Sequence, residues 1–118
     1  MDEAWIKYNY PADDERDERH PLFWAFKNLY DLIQHDPERA WRIVQIMWRH
    51  DSSDKNLANI AAGPLEDILV YHGAKFIERI EDIAKKEPTF KKMLGAVSQN
   101  DIPQQLWDRV TAIAGPSF

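Results

Sequence analysis

The sequence predicts an all-α fold: a single-domain irregular bundle of about six to seven short helices packed as antiparallel hairpins. Three observations carry this. Apolar residues recur at helical spacing along most of the chain, and no stretch alternates at period two for long enough to build a sheet. Proline falls mainly where a helical stripe begins, and the four glycines mostly where one ends. With 118 residues, 44% hydrophobic and 30% charged, the chain holds enough apolar material for one core and lacks the composition of disorder.

Residues 1–20 read as an acidic N-terminal segment packed on or flanking the domain, and residues 21–118 as the helical domain. A first short helix covers Asp2 to about Tyr8 and is ended by Asn9-Tyr10-Pro11. Residues 12–19 mix charges without an apolar stripe, as a solvated loop or frayed turn does. Pro21 opens the next helix, to about Gln34, with Leu22, Phe26, Leu29, Tyr30 and Ile33 on one face. Asp36-Pro37-Glu38 is a strong start signal: an N-cap acid, proline at the first helical position, then an acid in the first turn. Ala40, Ile43, Val44 and Met47 form the stripe of that helix, and Trp41 and Trp48 widen it, so it is expected to pack on more than one side. Ser52-Ser53-Asp54 caps a short helix through Ala62, bearing Leu57, Ile60 and Ala61.

Residues 61–73 are the most punctuated stretch. Gly63 before Pro64 reads as an N-cap followed by proline at the first helical position. Gly73 reads as the residue after the helix, free to take the left-handed conformation. Between them Leu65, Ile68, Leu69 and His72 share one face. The pattern then restarts with Phe76, Ile77, Ile80, Ile83 and Ala84 inside, and with Glu81–Lys85 and Asp82–Lys86 as i,i+4 pairs outside. Pro88 ends that helix. A short one follows from Thr89 to about Val97 with Phe90 and Leu94 buried, although Gly95 weakens it. Asp101-Ile102-Pro103 starts the last, with Leu106, Trp107, Val110 and Ile113 facing inward and Gly115-Pro116 ending it.

The run Gly63-Pro64-Leu65-Glu66-Asp67-Ile68-Leu69, followed by His72-Gly73, Phe76-Ile77 and Ile80-Glu81, resembles an uncharacterised family of small bacterial all-helical domains. The Asp-Pro-x-x-Ala-Trp start at Asp36 to Trp41 and the Pro-x-Phe at Pro88 to Phe90 belong to the same resemblance, which spans roughly residues 22 to 113. It implies one compact helical domain of bacterial or phage origin. It brings no chemistry.

Composition excludes several functions. There is no cysteine, so disulfides, cysteine-ligated zinc and thiol nucleophiles are out. The net charge is −5, and the only basic clusters are Lys85-Lys86 and Lys91-Lys92, so direct nucleic-acid binding is not expected. The first residues show neither a basic region nor an apolar core of a secretory signal. No apolar run approaches the ~20 residues of a membrane span. A cytoplasmic location is the expectation.

Glu66, Asp67 and His72 are the candidate chemical groups. Glu66 lies six residues before His72, about 240° around a helix, so the two do not face each other within it. Glu66 and Asp67 suit the positive end of a helix. Glu66 either reaches back to the N-cap N–H in a capping box or turns inward, for example towards Asn59. His72 is read as a buried or half-buried imidazole bonded to a carbonyl, with a ligand or catalytic role as the alternative. His20, His35 and His50 sit at helix boundaries and make no two-histidine spacing, so no metal site is expected. Ser52, Ser53 and Ser117 read as cap or tail residues, and no glycine-rich phosphate loop is present. Neither cofactor nor catalysis is expected.

Five tryptophans are many for this length. Trp24, Trp41, Trp48 and Trp107 lie on or beside helical stripes. Trp5, Tyr8 and Tyr10 stand in the acidic segment, either docked on the body or exposed as anchors for a partner. With Asp13, Asp14, Glu15, Asp17 and Glu18 they point to a small acidic protein that binds another protein and occludes a basic surface such as that of a nuclease. The specific expectation is an inhibitor or immunity-type protein of a bacterial or phage conflict system. The alternative is a structural or regulatory homo-oligomer.

Overall fold

The computed structural model of the chain describes residues 21–116, and its regular elements there are helices, with no strand among the described residues. Helix α1 spans Pro21–His35 and α2 spans Pro37–His50. Asp36 caps α2: its Oδ1 accepts the Arg39 N–H at 3.2 Å, and Pro37 takes the first helical position. Helix α3 covers Asp54–Ile60, with Ser53 as its N-cap. It continues through a π-helical turn, Ala61–Leu65, into α4, Glu66–Lys86. Helix α5 spans Pro88–Leu94 and α6 spans Gln104–Ile113.

The described residues therefore form five continuous helical segments, not six to seven short helices, because two expected breaks are absent. Gly63 is not an N-cap and Pro64 is not a first residue; both lie inside a helix. In a π-turn the bond spans five residues instead of four. The ladder thereby steps past Pro64, which has no N–H to give. Gly73 does not end a helix either, and no described glycine has positive φ. The axis bends instead at His72, whose φ of −139° and ψ of 24° leave the helical region. Gly73 serves close approach: a Cβ there would overlap the Leu106 side chain on α6.

The core follows the apolar stripes. Ala40, Val44, Met47, Leu57, Ile60, Leu65, Ile68, Leu69, Phe76, Ile80 and Phe90 are all fully buried. Trp41 packs on Phe76 and Phe90, at ring-centroid distances of 5.3 and 6.2 Å, and Trp48 lies 5.9 Å from Phe90. This aromatic cluster joins α2, α4 and α5, so α2 does pack on more than one side. Burying one such Phe contributes roughly 1.5–3 kcal/mol. Ile83, Leu106, Trp107 and Ile113 are only half-buried, with Val110 the buried anchor of α6. Tyr30, expected on the inner face of α1, is exposed; the side chains of Leu22, Trp24 and Phe26 lie outside the described ones.

Ion pairs fasten the helices from outside. Glu38 of α2 makes two bonds to Arg79 of α4, at 2.7 and 2.9 Å, and meets Lys75 at 3.3 Å. Asp82 and Lys86 pair as expected at 3.0 Å. Glu81 turns to α6 and takes Arg109 through two bonds, at 3.0 and 2.6 Å, so its ion pair is not with Lys85. Lys92 of α5 meets Asp54 of α3 at 2.6 Å. Each exposed pair is worth about 0–1 kcal/mol and fixes register more than stability. Among the described residues no helix is long and apolar enough to cross a membrane.

Candidate functional site

Trp5, Tyr8, Tyr10, Asp13, Asp14, Glu15, Asp17, Glu18 and His20 lie outside the described residues. The other candidates, Gly63, Pro64, Glu66, Asp67, His72 and Gly73, lie on the bent segment that runs from the π-turn to the middle of α4.

His72 is half-buried, and its Nε2 lies 2.8 Å from the Ile33 carbonyl oxygen of α1. The carbonyl can only accept, so Nε2 carries the proton. The need for this donor is written in α1. Its last regular rung joins the Asp36 N–H to Leu32 O at 2.6 Å. The next rung would join Ile33 O to residue 37, which is proline and has no N–H. The imidazole fills that gap from another helix.

Glu66 forms no capping box, because no helix starts at Gly63; no side chain caps α4 at all. Its Oε1 instead accepts a bond from Asn100 Nδ2 at 3.1 Å. Asn100 has φ of 41°, a left-handed conformation that asparagine tolerates better than most residues. Glu66 and His72 are thus engaged with different parts of the chain.

A second relationship lies on the same side of the bend. The hydroxyls of Tyr30 on α1 and Tyr71 on α4 sit 3.1 Å apart, and the rings meet edge-on with centroids at 6.3 Å. Both rings are exposed, at 42% and 47%. The bond to Tyr30 raises the Tyr71 hydroxyl above its ordinary value, and the carboxylates of Asp67 and Asp101 add to this. Asp67 is half-buried one turn before Tyr71. Burial, reinforced by the charge of Glu66, pushes its carboxyl up to about 6. Asp67 makes no hydrogen bond or ion pair with any described residue. It borders a recess of about 10 Å³ formed with Leu29, Tyr30, Ile33 and Pro64.

Tyr71 and the outward turn of Tyr30 escape the sequence reading. A signal existed for the first: Tyr71 stands off the Leu65–Ile68–Leu69–His72 stripe, where an aromatic has no core to enter. For Tyr30 there was none, since its spacing from Ile33 and Phe26 matches an inner face. Elsewhere, an open cavity of about 160 Å³ lies between the end of α5 and α6, lined by Leu94, Val97, Trp107 and Thr111 among others. It contains no ionisable group. Among the described residues no three histidine, aspartate or glutamate side chains are grouped to hold a metal.

A family model described as "Family of unknown function (DUF6869)" matches residues 12–117. The chain belongs to this family. The match is wider than residues 22–113 and reaches into the acidic stretch before α1. No curated protein and no solved structure matches the chain significantly.

Proposed function

We propose that the chain acts by binding another protein, and that the face around Tyr30 and Tyr71 is its contact surface. The observation that carries this is the tyrosine pair itself. Two large amphipathic rings are exposed, yet each is held in place by the other through ring contact and hydroxyl bond. Held side chains lose little rotamer freedom on association, and tyrosine is enriched among residues that dominate interfaces. Asp67, Glu66 and Asp101 make the surround acidic, in keeping with a net charge of −5. The partner surface is therefore basic. The specific reading is an inhibitor or immunity-type protein of a bacterial or phage conflict system that covers a basic groove, such as that of a nuclease. Catalysis and nucleic-acid binding have no part in it.

The test is a pull-down from lysate of the source cells with wild type and with Tyr30→Ala/Tyr71→Ala. A partner held at low salt, released by added salt and lost in the double variant supports the reading. A partner held equally by the double variant overturns it. A stable dimer of the chain that the double variant breaks up points to the homo-oligomer instead.

A further inference from the structure

Asp67 is the one group of this face whose chemistry is left open. Its nearest charge is another carboxylate, Glu66, which is itself engaged by Asn100. The recess beside it is apolar on its other sides, with Leu29, Ile33, Pro64 and the ring of Tyr30. We propose that this recess receives the ammonium group of a lysine side chain from the partner protein. The proposal rests on the docking reading above and names what the partner must present.

Size selects the group. A recess of about 10 Å³ holds one water-sized body. An ammonium fits; a planar guanidinium does not. Polarity agrees along the whole side chain: Leu29 and Pro64 suit a methylene stem, the Tyr30 ring attracts a cation, and Asp67 supplies the counter-charge. Burial has already driven the Asp67 carboxyl upward, so the free protein holds an anion without compensation, which a cation relieves. The chain's own N-terminal stretch is a poor occupant. Residues 12–19 bring Asp13, Asp14, Glu15, Asp17 and Glu18 against Arg16 and Arg19, and so meet an acidic face with acid.

The experiment is an NMR titration of the full chain with Nα-acetyl-lysine amide, Nα-acetyl-arginine amide and Nα-acetyl-norleucine amide at pH 7.5. The expected result is a saturable shift of the Tyr30, Ile33 and Asp67 amides with the lysine probe. The response should be at least ~10-fold weaker with arginine and absent with norleucine. Asp67→Asn should abolish it while the spectrum elsewhere stays folded. An arginine response equal to lysine, or a lysine response unchanged in Asp67→Asn, overturns the proposal. So does one that appears only in Arg16→Gln/Arg19→Gln, which would make the recess an internal socket, or one that changes with protein concentration, which would give it to a second copy. A missing lysine response beside a tyrosine variant that loses its partner sinks this inference alone. An intact lysine response beside a tyrosine variant that keeps its partner sinks the docking reading alone.

Discussion

His72 Nε2 and Ile33 O meet at 2.8 Å where α4 bends, and the imidazole replaces the N–H that Pro37 lacks. The Asp-Pro start of α2 and the His-Gly bend of α4 are thus one device spread over two helices. His72→Ala leaves the carbonyl without a partner inside the protein. It should lower stability by about 1–3 kcal/mol in urea unfolding. His72→Gln keeps an amide donor of similar reach and should cost less. Equal losses for the two variants would show that the donor is not what matters.

That device also marks the limit of what the sequence tells. The Asp36-Pro37-Glu38 start and the stripes of α2 and α4 are legible because cap chemistry and periodicity act locally. Gly63-Pro64 misleads because the same dipeptide fits a helix start and a π-turn, and only the helix packed before it decides between them. Gly73 misleads because its reason is Leu106, a residue on another helix. The recess at Asp67 is illegible for the same cause, since Leu29, Tyr30 and Ile33 come from α1 and Pro64 from the π-turn. Whether the acidic segment before α1 joins this face belongs to the proposal.

Gly73 and Gly95 look alike in sequence and should respond differently to alanine. At Gly73 the added Cβ meets the tip of the half-buried Leu106, which can swing aside. The gain in helix propensity, up to about 1 kcal/mol, offsets part of that strain. At Gly95 the Cβ meets main chain: Gly115 O, and Pro116 O at 2.9 Å. Gly95→Ala should cost about 1–3 kcal/mol. It should also release the Gly115 N–H, now bonded to Lys91 O at 3.1 Å, to fast hydrogen exchange. Gly73→Ala should be close to neutral by thermal unfolding, and retained protection at Gly115 in Gly95→Ala would refute the contrast.

Asn56 is fully buried and closes the end of α2 from α3. Its Nδ2 donates to Met47 O at 3.3 Å and to Asp51 O at 2.7 Å. Those carbonyls belong to the helix end that has no continuing ladder. Asn56→Ala should lose about 1–3 kcal/mol. Asn56→Asp should lose more, because it sets a buried carboxylate against two carbonyl oxygens. Chemical denaturation of both variants checks the order.

Stability should pass through a maximum at mildly acid pH, because two carboxylates pull in opposite directions. Burial raises Asp67 from 3.8 to about 6, so the folded chain binds that proton more tightly than the unfolded one. The stabilisation is complete below the unfolded value and is lost as pH rises through 6. Glu38 is the reverse: its bond to Arg79, aided by Lys75, lowers it from 4.5 to about 2. That contribution is present above 4.5 and is lost as pH falls towards 2. The melting temperature should therefore peak at about pH 5. Asp67→Asn should remove the slope between pH 5 and 7. It should raise stability near pH 7.5 by about 1 kcal/mol, discounted from the full shift because the group is half-exposed. Glu38→Gln should flatten only the acid limb. A variant that is more stable yet no longer takes lysine separates a carboxylate kept for binding from one kept for folding. An Asp67→Asn protein that is less stable than wild type at pH 7.5 would contradict this.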